Sequence, residues 1–189
     1  MRHSFEELVG QELDRLYRAA FFLAEGVPHR AERLVTLAVL RGFREYRSLH
    51  GLPTRTAHWF DGHLAKAFLD EQGPGASPGF RATPGFRAIP DEGDASKASR
   101  TPVGALPGRW DDRLSDLGHG ELAQAGAALP PTQRVAFWLV ALERRRYGDV
   151  AEILGAPRES VAGWIRDAHR TLHRALGALR PGRLGEGRA

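Results

Sequence analysis

Residues 147–166 read Tyr147-Gly-Asp-Val-Ala-Glu-Ile-Leu-Gly155-Ala-Pro157-Arg-Glu-Ser-Val-Ala-Gly-Trp-Ile-Arg166, and this stretch decides the fold. A short apolar-faced helix ends at a glycine, a proline follows, and a second helix with a different face begins. Glycine accepts the left-handed conformation that closes a helix, and proline is tolerated only in a helix's first turn. Two helices joined by so tight a turn form the helix-turn-helix arrangement, in which the second helix can enter a DNA major groove.

Working outward, Leu129-Pro-Pro131 opens a helix over about 132–143, and a long helix runs from Pro157 to about Leu179. Val161, Ile165, Ala168 and Leu172 recur at spacings of three and four, so they form the packed face. Arg158, Ala162, Arg166, Asp167 and Arg170 fall on the outward face, with Ser160 beside them in the first turn. Arg166 and Arg170 are one turn apart, and Arg144, Arg145 and Arg146 precede the first helix of the pair. Side chains so placed can grip phosphates and reach base edges.

Charge singles out the same segment. Residues 129–189 hold 11 basic and 6 acidic side chains, net +5, whereas residues 1–72 are neutral and 73–128 carry −1. A basic C-terminal part on a neutral chain points to a polyanion partner for that part alone.

Upstream, Ser4-x-x-Glu7 is a capping box opening a helix whose apolar stripe is Phe5, Leu8, Val9, Leu13, Leu16, Tyr17 and Ala20. A second helix runs from Pro28 to about Leu49, and a third from about Thr54 to Glu71. From Gln72 to about Arg109 Gly, Pro, Ser and Thr dominate, and Pro-Gly-Phe-Arg-Ala occurs twice, at 78–82 and 84–88. Such a composition buries too little apolar area to offset its ordering entropy and reads as a linker. A helix from about Ser115 to Ala128 restores order, and the tail from Arg180 is expected to fray. The expected fold is all-α: a helical domain at 1–72, a flexible Gly/Pro-rich linker at 73–112, a helix-turn-helix domain at 113–180 and a disordered tail at 181–189.

Cysteine is absent, which removes disulfides, thiolate nucleophiles and Cys-based zinc sites and fits a reducing cytoplasm. No apolar run approaches the roughly 20 residues that span a bilayer, and Met1 to Glu7 has no signal-peptide core. A cytoplasmic protein with no membrane insertion is therefore expected. His169 and His173 lie four apart without a third ligand, so they read as exposed histidines; His58 and His63 diverge at a spacing of five. No nucleophile–base pairing or phosphate loop stands out. The expectation is no enzyme, no catalytic residue, no metal and no cofactor.

These residues carry a resemblance. Leu129-Pro-Pro-x-Gln-Arg-x-x-Phe137, Tyr147-x-x-Val-Ala-Glu-Ile-Leu-Gly155-x-Pro157, Ser160-Val161 and Ala168-x-x-x-Leu172 are similar to the fourth conserved region of bacterial sigma factors of the extracytoplasmic-function group. Ala31-Glu-x-Leu-Val35 and Leu40-Arg-x-Phe43 resemble the second region, and Trp59 to Asp70 resembles the helix that follows it. The resemblance implies a region 2-like three-helix domain that meets core RNA polymerase and melts promoter DNA. It implies a region 4-like domain that reads the upstream promoter element, and an anti-sigma partner. Leu34, Val35, Leu37 and Arg41 then fall on the polymerase-facing surface, and Lys66 on the melting helix. Arg144, Arg145, Arg146, Arg158, Ser160, Arg166 and Arg170 fall on the DNA-facing surface.

Several contact positions depart from the family pattern. Arg33, Thr36 and Leu37 stand where Asp, Gln and Glu are usual, and Ala162, Gly163, Trp164 and Asp167 replace polar or basic residues of the recognition helix. The expected function is a sigma factor that binds core RNA polymerase and directs promoter-specific initiation; the alternatives are a sigma-like interaction protein that binds polymerase or a sigma or anti-sigma partner without opening promoters, and a helix-turn-helix regulator.

Overall fold

The computed structural model describes residues 4–48, 56–73 and 118–179. Nearly all of the expected linker, with its doubled Pro-Gly-Phe-Arg-Ala, and the expected tail lie outside these residues. Among the described residues the chain is entirely helical: α1 (Phe5–Leu23), α2 (Pro28–Tyr46), α3 (Thr56–Glu71), α4 (His119–Gly126), α5 (Pro131–Phe137), α6 (Tyr147–Leu154) and α7 (Arg158–Leu179). A π-helical segment, Trp138–Leu142, continues α5.

Local chemistry explains the ends. The Glu7 backbone N–H donates to Ser4 Oγ at 3.2 Å, and the Ser4 N–H to Glu7 Oε2 at 3.0 Å, so the capping box that opens α1 is formed. Glu25 and Gly26, both at positive φ, turn the chain out of α1, and Pro28 starts α2 where its missing N–H has no helical partner to lose. Gly155 sits at φ 60° as the left-handed cap of α6, as the turn of a helix-turn-helix requires.

α1, α2 and α3 pack on one another, and α4 to α7 form the second group. The two groups share one buried cluster. α1 packs on α4, and α3 on α5 and α6. Phe22 of α1 meets Phe137 of α5 with ring centroids 6.0 Å apart. Gly126 makes the approach of α4 possible, because a Cβ there would lie 2.6 Å from the Phe22 ring.

The apolar stripe of α1 divides. Phe5, Leu8, Leu16 and Ala20 are buried, while Leu13 is 43% and Tyr17 36% exposed. The stripe is wider than the area its neighbours cover, and its outer edge faces solvent. α3 has the opposite character. Nine of its residues are buried, including His58 and Asp61, because α1 and α2 cover one side and α5 and α6 another.

Candidate interaction surfaces and the seam between the halves

α7, the expected recognition helix, is packed as its pattern predicts. Val161, Ile165, Ala168 and Leu172 are all buried, at 3% exposure or less. Arg158, Arg166 and Arg170 are exposed and Ser160 is half-buried. Asp167 does more than interrupt the basic face: it accepts from Arg170 Nη2 at 2.5 Å and neutralises that cation locally. His169 is not an exposed histidine. It is half-buried, packs edge-on against Phe137 at 6.1 Å, and burial holds its pKa below the ordinary value.

The three arginines before α6 separate. Arg144 and Arg146 are exposed. Arg145, expected on phosphate, is instead turned inward: Nε donates to Asp61 Oδ2 at 2.7 Å and Nη2 lies 2.6 Å from the same oxygen. Asp61 of α3 is fully buried, and its other oxygen accepts from Arg15 Nη1 at 2.6 Å. Arg15 also donates to Glu143 Oε2 at 2.7 Å, to Glu12 Oε2 at 2.6 Å and to the Ala57 carbonyl at 3.1 Å. Trp138 Nε1 donates to Glu143 Oε1 at 3.2 Å and completes the network.

Burial pushes the Asp61 carboxyl above its ordinary pKa, and Arg15 and Arg145 pull it back. Both of its oxygens accept from guanidinium N–H groups, which favours the charged form. Burial lowers the Arg15 pKa, but its carboxylate partners outweigh that and the net shift is upward.

A second junction lies at Arg134, whose side chain is 5% exposed. Nη1 donates to the Leu23 carbonyl at 3.1 Å and to Glu25 Oε1 at 2.8 Å. Nη2 donates to the carbonyls of Ala127 at 3.0 Å and Leu129 at 3.1 Å, and the guanidinium sits 5.6 Å from the Phe68 ring centroid. Arg134 therefore caps the C-terminus of α1 from the other half of the chain.

The surface expected to meet polymerase differs from expectation in a similar way. Leu34 is fully buried and has no surface to offer a partner, because it faces the core rather than solvent. Val35, 7% exposed, lines an open groove of about 470 Å³ between α1 and α2. Leu13, Asp14, Tyr17 and Arg18 line it from α1, and Glu32 and Thr36 from α2. Leu37 is half-buried. Arg41 pairs with Asp70 at 2.9 Å and Arg33 with Glu71 at 2.9 Å, so α2 neutralises the acidic end of α3. Lys66 is half-buried on α3.

His63 lies near these cations. Its Nε2 is 3.2 Å from Glu45 Oε2 without the alignment of a hydrogen bond, and burial, Arg41 and Lys66 lower its pKa to about 4. Sequence reasoning missed Arg15, Asp61, Arg134 and Glu143 as a set, since no local spacing links them.

Among the described residues no three His, Cys, Asp or Glu side chains are arranged to hold a metal ion, and no helix is long and apolar enough to cross a membrane. Residues 127–174 match the family described as the sigma-like domain of the response regulator PhyR. The C-terminal part of the chain is thus a sigma-like region related to sigma factors, and its description is that of a regulatory domain rather than a catalytic one.

Proposed function

We propose that this protein is a sigma-like interaction protein, which binds a protein partner of the transcription machinery and does not itself open promoters. The observation that carries this reading is the burial of α3. The resemblance assigns promoter melting to this helix, and a melting helix must present polar and cationic side chains to unpaired bases. Here its faces are buried against α1, α2, α5 and α6, and the acidic end is tied up by Arg33 and Arg41. Arg145 is likewise committed to Asp61 rather than turned to phosphate. Among the described residues the α1–α2 groove stays open, with Leu13 and Tyr17 exposed and Val35 in its lining. An amphipathic helix of a partner, whether polymerase, sigma or anti-sigma, is the kind of ligand such a groove accommodates.

The test uses the purified full chain with core RNA polymerase. The expected result is binding to polymerase, to a sigma factor or to an anti-sigma factor in co-elution, with no specific run-off transcript. A specific transcript from the protein and core polymerase alone would overturn the reading in favour of a promoter-directing sigma factor.

A further inference from the structure

Each junction between the halves shows the same unusual feature. Among the described residues two non-glycine residues adopt positive φ, Glu25 at 61° and Arg144 at 55°. L side chains rarely adopt this conformation, and it persists only where the surroundings hold it. Glu25 is the residue that pairs with Arg134. Arg144 lies between Glu143 and Arg145, the two residues that enter the Arg15–Asp61 network. The backbone before it is π-helical, and the Arg145 N–H reaches back to the Leu139 carbonyl at 2.8 Å. The chain leaves regular helix at this point and delivers two oppositely charged side chains to α1 and α3.

We infer that the chain carries a built-in clasp: Asp61, gripped by Arg15 from its own half and Arg145 from the other, holds the sigma-like halves closed. Its release separates them. The chemistry makes the closed state close to all-or-none. A fully paired buried carboxylate is tolerated, but one that loses a partner stays desolvated and uncompensated, so partial opening is disfavoured. Full opening hydrates Asp61, Glu143 and both arginines together and lets Arg144 leave its held conformation. It also returns Arg145 to the approach of α6 and uncovers the side of α3 that faces α5 and α6. The clasp is a property of the fold and holds whatever partner occupies the α1–α2 groove.

The chain has no native cysteine, so cysteines introduced at exposed Gln11 on α1 and Glu159 on α7 accept spin labels without interference. Pulsed electron–electron resonance on the full chain should give one narrow distance. Asp61→Asn should lose that distance and gain a broad, longer distribution, with far-UV circular dichroism unchanged. Should Asp61→Asn unfold, Arg145→Gln decides, because it leaves the Arg15–Asp61 pair within its own half. A broad distribution in the parent, or the parent's narrow distance in a folded Arg145→Gln variant, would overturn the proposal. So would loss of helicity in both variants, since the halves would then have no separate existence. A broad distribution in the parent would also remove the α3 burial on which the proposed function rests, whereas a narrow distance kept in Arg145→Gln overturns the clasp alone and leaves that burial in place.

Discussion

Replacing Arg134 with Met keeps the apolar stem and removes the guanidinium that serves Leu23, Ala127 and Leu129. The Leu23 and Leu129 carbonyls lose their side-chain donor in a buried place, and each such loss costs about 1–3 kcal/mol, while the carbonyl of exposed Ala127 can turn to water. Two effects offset part of this. Removing a buried cation relieves its own desolvation, and its Nε has no partner even in the parent. The Glu25 carboxylate, 38% exposed, rehydrates easily and accounts for no more than about 1 kcal/mol. The expected net loss is about 3–5 kcal/mol, the range found when one member of a buried pair is removed. Urea unfolding at neutral pH measures it as a lower midpoint at unchanged slope. Glu25→Ala should cost about 1 kcal/mol or less, which separates the carbonyls from the ion pair as the source. A loss below about 1 kcal/mol for Arg134→Met would refute the reasoning and place water at those carbonyls.

Other outcomes follow from single residues. Gly163→Ala should stabilise the protein by up to about 1 kcal/mol, because a Cβ there meets nothing within 4 Å and α7 gains a better helix former; the urea midpoint reports it. Acid should destabilise the fold. His63 titrates near 4 when folded and near 6.5 when unfolded, so the unfolded chain binds the extra proton between those values. Stability is complete above about pH 6.5 and falls as the pH drops toward 4, with His58 and His169 acting in the same sense. In His63→Leu the slope of unfolding free energy against pH should be shallower by up to about 1.4 kcal/mol per unit. Leu13→Asp, at an exposed position on the groove, should abolish partner co-elution while moving the urea midpoint little. Retained binding would take the groove out of the proposed function.

The parts legible in the sequence were those specified over a few residues. Gly155, Pro157 and the spacing of Val161, Ile165, Ala168 and Leu172 define the helix-turn-helix frame through local backbone preference and one helical period. Ser4 and Glu7 define the start of α1 in the same way. The seam was not legible, because Arg15, Asp61 and Arg145 meet across separations of 46 and 84 residues, and a charged residue carries no local mark of being buried. Arg145 looks in sequence like its exposed neighbours Arg144 and Arg146; only the π-helical turn and the conformation of Arg144 send it inward. Leu13 and Tyr17 belong to the apolar stripe of α1 by period, but period alone does not say how much of a stripe a neighbour covers. Leu34 is expected on a surface but lies in the core for the complementary reason, since a resemblance aligns positions without reporting which of them the core has covered.

The hydrogen bond from Arg134 to the Leu23 carbonyl also bears on how the chain is made. Its donor is synthesised 111 residues after its acceptor. At about 5–20 residues per second, α1 emerges from the ribosome on the order of 5–20 s before the group that closes its last turn exists. During that interval Phe22 lacks the partner ring of Phe137, and the Asp61 carboxylate has one guanidinium instead of two. The first three helices therefore pass through synthesis with an unfinished face. A nascent chain stalled before Arg134 would present that face to chaperones, whereas one stalled after α7 would not.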